Sequence, residues 1–281
     1  MKKFITAMLA VAFVGLTSAQ VKTPQASTAA ELEQVVGMTK VEVEYSRPSK
    51  NDREVFGNLV PFGKIWRTGA NKNTTIEFND DVVINGQALK AGKYAIYTKP
   101  EKDSWEIFFY TDTENWGAPQ KWDDSKVALT TRNKVQILPY TVESFTIGFE
   151  DLKFDSGLLA FSWDNVKVVY KVEVPTDKKV MSSIEETMKG KPTAQDYMAA
   201  ANYFYTAGKD IQQAKKWMDE GMKLNEKPAY YQIYQQALIY KKAGDKAGSL
   251  NLAKKALDAA KAANNSDYVK LANDLVEGLS K

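Results

Sequence analysis

Apolar and polar residues alternate along the first part of the chain. In "KVEVEYS", every second residue is Val41, Val43 or Tyr45, and the residues between them are polar. A period of two is typical of a half-buried β-strand. Eight more short segments are rich in β-branched or aromatic residues: "TTIEF", "DVVI", "KYAIYT", "SWEIFFYT", "KVQIL", "SFTIGFE", "LLAFSW" and "VKVVYKVEV". About nine such strands predict a mainly antiparallel β-sandwich over residues 40–175, with a closed barrel as the alternative.

Turn-forming residues separate these segments. Asn85-Gly86 lies between "DVVI" and "QAL". A type I′ hairpin turn needs positive φ at both central residues, which Asn and Gly adopt most readily. We therefore predict a hairpin there.

The pattern changes to helical spacing after Pro175. We predict helices at about 179–189, 193–207, 210–223, 228–242, 245–262 and 266–279. A small residue, an aromatic residue and a glycine recur thirty-six positions apart: Ala201, Phe204 and Gly208, then Ala237, Tyr240 and Gly244. This order resembles tetratricopeptide repeats, although the Trp and Leu positions of that family are not met. We therefore predict an all-α domain over 176–281, which is either TPR-like or an unrelated helical bundle.

The first residues have the layout of a secretory signal peptide. Lys2 and Lys3 precede an uncharged apolar run, and Thr17 and Ala19 supply small residues before Gln20. The run is shorter than the roughly 20 residues that span a bilayer. We predict a signal peptide at 1–19 cleaved near Ala19-Gln20, a polar leader at 20–39, and export to the periplasm or beyond. A buried core segment is the alternative.

Composition and charge narrow the class of protein. The chain is 44% hydrophobic and 26% charged, as in folded globular proteins. Of 38 basic residues, 36 remain without Lys2 and Lys3, against 35 acidic ones. The two signs are interspersed, whereas a nucleic-acid binder concentrates positive charge on one face. We predict no nucleic-acid partner and no membrane span.

The chain contains neither Cys nor His. Without His it lacks the commonest metal ligand and the usual general base, which excludes Ser-His-Asp catalysis and His-based zinc sites. We therefore predict no cofactor, no metal and no catalytic set, although carboxylate, Lys or Tyr chemistry stays open.

Several longer motifs carry a family resemblance. "YSRPSKNDREVFGNLVPFGKIWRTGANKNTTIEF", "VVINGQALKAGKYAIYTKP" and "NWG" resemble a bacterial family known as domain of unknown function 2911. The resemblance covers about residues 40–175. It implies an exported protein of Bacteroidetes-like bacteria, often with appended helical repeats. The family has no established activity, so the resemblance assigns neither a reaction nor functional residues.

The first candidate site is the loop around Trp66 and Arg67. An indole offers a flat apolar face, and a guanidinium offers a fork of donors for a carboxylate or phosphate. Arg47 and Arg53 lie upstream and add two more guanidinium groups, and Asn71 helps to turn the chain. These residues form either an anion or sugar-acid clamp, or a Trp plug with an arginine ion pair to Glu42, Glu44 or Glu77. We favour the plug, because the ends of sandwiches commonly need one.

The second candidate is "YTDTENWGAPQKWDDSKVA". Trp116, Trp122, Asp123 and Asp124 are residue types that a sugar-binding loop uses, and paired carboxylates also serve glycoside hydrolysis. Solvated turns are rich in Asp as well, so the signal is weak. Calcium binding by Asp112 and Glu114 is a further alternative without an EF-hand pattern.

The helices carry a series of tyrosines, most of them expected in the core. Tyr203, Tyr231 and Tyr234 are candidates for a concave groove that contacts a protein partner. The sequence as a whole predicts a non-catalytic binding or assembly protein of the cell envelope. The alternative is a carbohydrate-binding or carbohydrate-active sandwich that uses the Trp and Asp loops.

Overall fold

The computed structural model describes residues 23–281. The predicted signal peptide and residues 20–22 lie outside the described residues. The chain divides into two compact units, with the boundary between Thr176 and Asp177. The first unit holds all of the strands and the second holds the helices, so the predicted order of a β-sandwich followed by an all-α domain is confirmed.

Ten strands build the first unit. In chain order they are β1 (Thr28–Val36), β2 (Thr39–Arg47), β3 (Thr74–Phe78), β4 (Val82–Ile84), β5 (Gln87–Leu89), β6 (Gly92–Pro100), β7 (Ser104–Tyr110), β8 (Val127–Lys134), β9 (Gln136–Glu150) and β10 (Ser156–Glu173). One sheet has the order β1-β2-β3-β6-β7-β8 and the other has the order β5-β4-β10-β9. Every strand pair in both sheets is antiparallel.

One continuous hydrophobic core is formed by side chains from both sheets. Its largest fully buried members are aromatic and include Trp105, Phe145, Trp163 and Tyr170. The Tyr170 hydroxyl on β10 donates to the Trp105 carbonyl oxygen on β7 at 2.9 Å, which satisfies a buried polar group across the core. Since the chain contains no cysteine, no disulfide stabilises the fold, and burial of apolar side chains, these aromatic rings among them, supplies the main driving force.

The hairpin predicted at Asn85-Gly86 is confirmed. Asn85 has φ 47° and Gly86 has φ 83°, and Ile84 pairs with Gln87 across the turn. Positive φ at both central residues is the type I′ requirement.

The strand pattern differs from the prediction at three places. Residues 28–36, predicted to lie in a polar leader, form the edge strand β1, with Leu32 and Val36 packed on the core. The strand β8 was missed because its outward residues and its end are polar. The last four predicted strands, from "KVQIL" to "VKVVYKVEV", are two long strands, β9 and β10. Within β10 the chain passes through Asp164 at φ 54° as an irregularity and does not turn back.

Six helices make up the second unit, as predicted. They are α1 (Thr176–Lys189), α2 (Ala194–Thr206), α3 (Ile211–Leu224), α4 (Tyr230–Lys242), α5 (Lys246–Ala262) and α6 (Ser266–Ser280). Polar side chains cap the starts of α2, α3, α5 and α6, and the Thr193–Asp196 capping box begins α2. Gly208 and Gly244, both at positive φ, follow the ends of α2 and α4.

Consecutive helices pack as α2 on α3 and α4 on α5, followed by α6. At Gly221 an added Cβ would lie 2.7 Å from Met198 Cγ, so α3 approaches α2 at a position that only glycine allows. Among residues 23–281, no helix combines the length and the apolar character that a bilayer span requires.

Candidate functional site

A tightly wound loop carries Trp66 and Arg67 at one end of the six-stranded sheet. The backbone of Trp66 exchanges two hydrogen bonds with Thr98 on β6, at 2.7 and 3.0 Å. The chain then turns through Thr68, Gly69 and Asn71, all at positive φ, before β3 begins. An added Cβ on Gly69 would lie 2.9 Å from the Ser46 carbonyl oxygen, so the loop packs directly on β2.

Trp66 closes one end of the sandwich core. Its ring is stacked on Trp163 with centroids 5.8 Å apart, and it makes edge contacts with Trp105 and Phe145. Its indole Nε1 donates to the Gly69 carbonyl oxygen at 3.1 Å, within its own loop. The side chain is only half-buried, so the rest of it is available on the outside of the plug.

The exposed part of Trp66 forms one wall of a cleft of about 500 Å³. The apolar lining includes Pro48, Leu59, Val60, Ile65 and Trp66, with Trp163 behind them. The two charged lining residues are Arg53 and Arg67, and neither Asp nor Glu lines this cleft in the described part of the chain. The lining of the cleft therefore combines apolar side chains with two positive charges.

Arg67 is half-buried, and within residues 23–281 its side chain makes no hydrogen bond and no ion pair. Of the predicted partners, Glu42 pairs with Lys40 and Glu44 pairs with Lys93, and within the described residues no ion pair joins Glu77 to Arg67. The ion-pair interpretation of Arg67 is therefore wrong, whereas the interpretation of Trp66 as a plug agrees with its ring contacts. A methyl group at Gly117 would lie 3.0 Å from Arg67 Nη1, so the glycine makes room for the guanidinium.

Arg53 is held by backbone carbonyl groups. Its Nε donates to the Lys50 carbonyl oxygen at 2.9 Å, and its Nη2 donates to the Ser49 carbonyl oxygen at 2.6 Å. These bonds orient the guanidinium without neutralising its charge. The neighbouring Lys50 does have a carboxylate partner, Asp164, at 2.9 Å.

Arg47 and Asn71, both predicted to bind ligand, do not line the cleft. Arg47 donates to the Phe145 carbonyl oxygen at 3.0 Å and to the Thr146 hydroxyl at 2.7 Å, so it links β2 to β9. The Asn71 side-chain amide donates to the Ser27 carbonyl oxygen and lies 3.2 Å from the Ser46 hydroxyl. These contacts use both side chains within the sandwich.

The loop between β7 and β8 carries the second set of candidates. Trp122 packs on Tyr97, Phe108 and Tyr110 outside the main core, and its Nε1 donates to Asp124 Oδ1 at 2.9 Å. Trp116 is different, because 75% of its surface is exposed. The structure therefore separates the two tryptophans into one packed ring and one free ring.

Asp123 caps a short 3-10 helix, Asp124–Lys126, in this loop. It accepts hydrogen bonds from the Ser125 hydroxyl and the Ser125 amide, and these hold the pKa of Asp123 below its usual range. A general acid for glycoside hydrolysis needs a raised pKa. Asp123 therefore lacks the raised pKa that the general acid of a hydrolytic site needs.

The carboxylates proposed for calcium each have a lysine partner. Asp112 pairs with Lys126 at 2.8 Å, and Glu114 pairs with Lys72 at 3.0 Å. Within the described residues, no group of three or more His, Cys, Asp or Glu side chains is arranged to hold a metal ion.

The two candidate loops meet at Arg67. Gly117 lies against the guanidinium, and the next residue, Ala118, lines the cleft. The Tyr97 hydroxyl on β6 donates to the Gly117 carbonyl oxygen at 3.3 Å, and burial raises the pKa of Tyr97 to about 12. Tyr97 therefore stays protonated near neutral pH and helps to position this loop.

Sequence reasoning missed Trp163 as part of this site. It lies almost one hundred positions after Trp66 and was interpreted only as the end of the strand "LLAFSW". No local spacing connects the two residues, because the pairing of the sheets brings them together. Arg53 was noted as an extra guanidinium, and its sequence signal was its position in the loop before Trp66.

The three helical candidates occupy different surroundings. The Tyr203 hydroxyl on α2 donates to Asp177 at 2.6 Å, and the ring packs in the cluster around Phe204. Tyr234 on α4 packs against Tyr268 on α6, in a separate cluster. Tyr231 is the most accessible of the three, with 49% of its surface exposed.

Comparison with known families places the cleft inside a recognised region. The model of a family described as "Protein of unknown function (DUF2911)" matches residues 27–172, which include every lining residue of the cleft except Ala26. The match begins at β1 and ends before the helices, whose likeness to tetratricopeptide repeats stays a prediction. Neither the curated proteins nor the solved structures compared with the chain gave a match.

Proposed function

This chain belongs to the DUF2911 family, which is defined without an activity, and we propose that it is an exported, non-catalytic binding protein of the bacterial cell envelope. The geometry of the cleft supports the binding role. The observation that carries the proposal is Arg67. Its guanidinium borders an apolar cleft and has no partner within the described residues. An arginine beside aromatic surface is a frequent anchor of binding sites.

The chemistry of the lining supports binding over catalysis. The polar side chains in the cleft are guanidinium, hydroxyl and amide groups. These groups donate and accept hydrogen bonds, and none of them acts alone as a general base near neutral pH. The Ser49 hydroxyl lies 3.2 Å from the Ser144 hydroxyl, which does not activate it.

Export rests on the predicted signal peptide at residues 1–19. In this proposal the mature protein begins near Gln20 and works in the periplasm or outside the cell. Cell fractionation tests this point, since deletion of residues 2–19 should leave the protein in the cytoplasm.

The helical unit is proposed to contact a protein partner. Tyr231 supports this because half of its surface is exposed on α4. Tyr203 and Tyr234 contribute less in this proposal, since each packs within its own cluster.

A carbohydrate-binding role is the second candidate, and Trp116 favours it. An exposed indole is suited to stacking on a sugar ring, and 75% of Trp116 is exposed. Against it, Trp122 is packed and its indole is bonded to Asp124. Loss of glycan binding in Trp116→Ala would support this second candidate.

Photo-crosslinking in living cells tests the proposal. A benzoylphenylalanine is placed at Ala118 beside the cleft, at Tyr231 on α4, or at Ile137, an exposed position on β9 that serves as the control. We expect specific adducts from Ala118 and from Tyr231, identified by mass spectrometry, and none from Ile137. Equal labelling at Ala118 and Ile137 would contradict a binding role for the cleft.

A further inference from the structure

We propose that the cleft recognises a carboxylate joined to a flat apolar group, with the carboxylate on Arg67 and the apolar group against Trp66. The inference rests on the proposed binding function and names its ligand class. It depends on three features of the described residues: the charge of the cleft, the number of free donors and the apolar lining.

The charge of the cleft selects an anion. Both charged lining residues are arginines, and no carboxylate lines the cleft within residues 23–281. A half-buried guanidinium without a counter-ion is incompletely compensated, and an anionic ligand would supply the missing partner. A neutral sugar would leave that charge uncompensated.

The number of free donors favours a carboxylate over a phosphate. Arg53 already uses Nε and Nη2 on two carbonyl oxygens, so among the described lining residues Arg67 is the arginine with all five N–H donors free. A single planar fork matches the two oxygens of a carboxylate. Phosphate sites usually add a helix N-terminus or a glycine-rich nest, and among the described residues this cleft is lined by loops and by Trp163 of β10, with no α-helix.

The apolar lining requires more than a small anion. Pro48, Leu59, Ile65 and Trp66 present hydrophobic surface, and 40% of Leu59 is exposed. A volume of about 500 Å³ lies within the usual range of small-molecule sites, about 300–1,000 Å³. Acetate would leave this surface in water, whereas an aromatic acid would cover it.

Two sources supply this chemistry: an aromatic carboxylic acid, or the C-terminal residue of a peptide that ends in an aromatic side chain. Titration calorimetry on the full mature chain compares 2-naphthoate with 2-naphthamide, 2-naphthyl phosphate and acetate. A second set compares the peptide Gly-Gly-Gly-Phe with its C-terminal amide.

We expect 2-naphthoate to bind at least about tenfold more tightly than 2-naphthamide or acetate. It should bind at least as tightly as 2-naphthyl phosphate. The free-acid peptide should likewise exceed its amide. Tighter binding of the peptide than of naphthoate would assign the source as a polypeptide C-terminus, and the reverse would assign it as a small aromatic acid.

Variants connect the affinity to Arg67. Arg67→Gln should weaken 2-naphthoate binding by about 10- to 100-fold, because it removes a charge-assisted pair of hydrogen bonds. Arg67→Lys keeps the charge without the planar fork, so its affinity for 2-naphthoate should lie between that of the unchanged protein and that of Arg67→Gln. Lys64→Gln, an exposed position on the same loop, removes an equal charge and should change the affinity less than about threefold.

Four outcomes would overturn the inference: equal affinities for naphthoate and naphthamide, a tenfold preference for the phosphate, equal effects of Arg67→Gln and Lys64→Gln, or no binding of any carboxylate. Since the Arg67 side chain makes no hydrogen bond or ion pair within the described residues, its variants should fold, and a thermal melt checks this. Crosslinked adducts at Ala118 without carboxylate binding would refute the ligand class alone. Carboxylate binding in vitro without adducts in cells would refute the proposed function instead.

Discussion

Arg47 and Arg67 are the same residue type on neighbouring segments, and their surroundings give them opposite roles. Arg47 donates to acceptors on β9 and joins the two sheets. Arg67 lies in a loop that is held by backbone hydrogen bonds between Trp66 and Thr98 and by the bond from the Trp66 indole to Gly69. Because that closure does not use the guanidinium, the charge stays available for a ligand.

Gly69 gives a prediction at the scale of a single residue. Its φ of 148° disfavours any side chain, and an added Cβ would lie 2.9 Å from a backbone oxygen of Ser46. Gly69→Ala should lower the free energy of unfolding by about 2–4 kcal/mol, which combines backbone strain with the clash. Tryptophan fluorescence during urea unfolding measures this, since five of the six tryptophans lie before residue 177.

Gly86→Ala is the matched control. Gly86 also has positive φ, at 83°, but an added Cβ would meet open space. Gly86→Ala should therefore lower the free energy of unfolding by the backbone strain alone, about 1 kcal/mol. Equal costs at the two glycines would show that the Gly69 loop moves away from Ser46 easily, which would weaken the description of this loop as rigid.

At the scale of elements, β1 departs most from the expected organisation. Leu32 and Val36 face the core, whereas Glu31 and Glu33 face solvent. Interspersed Thr, Gln and Ala residues hide this alternation, so the segment resembles a polar leader. Pairing with the full length of β2 supplies the backbone hydrogen bonds that hold it.

Leu32→Ala tests whether β1 is an integral strand. Leu32 packs on the core while partly buried, so the substitution should lower the free energy of unfolding by about 1–2 kcal/mol. Glu31→Ala, on the outward face of the same strand, should change it by less than about 0.5 kcal/mol. If urea denaturation showed that Leu32→Ala and Glu31→Ala change the free energy of unfolding equally, β1 would not contribute to the folded sandwich in solution.

At the scale of the whole molecule, each unit has a hydrophobic core of its own. The sandwich core is made of residues before 177, and the helical clusters are made of residues after it. The family match is confined to the first unit. The two units therefore have the properties of separate domains.

Separate expression of residues 20–176 and 177–281 tests this. We expect each fragment to unfold cooperatively, and the sandwich fragment to have the same urea midpoint as the tryptophan transition of the whole chain. A clearly lower midpoint for 20–176 would mean that the helices stabilise the sandwich and that the two units do not fold independently.

The sequence by itself determined the class of both units, the Asn85-Gly86 hairpin and the six helices. Each follows from local periodicity, turn chemistry or capping, which act over a few residues. Local pattern also directed attention to Trp66 and Arg67. It did not reveal that Glu42 and Glu44 are paired elsewhere.

Only the tertiary structure decided which candidates share a site. Trp163 joins Trp66, Arg53 joins Arg67, and Gly117 makes room for the guanidinium. Arg47, Asn71 and Trp122 are used in packing instead. The physical reason is distance along the chain: these contacts join residues far apart in sequence, and the pairing and packing of the two sheets set them.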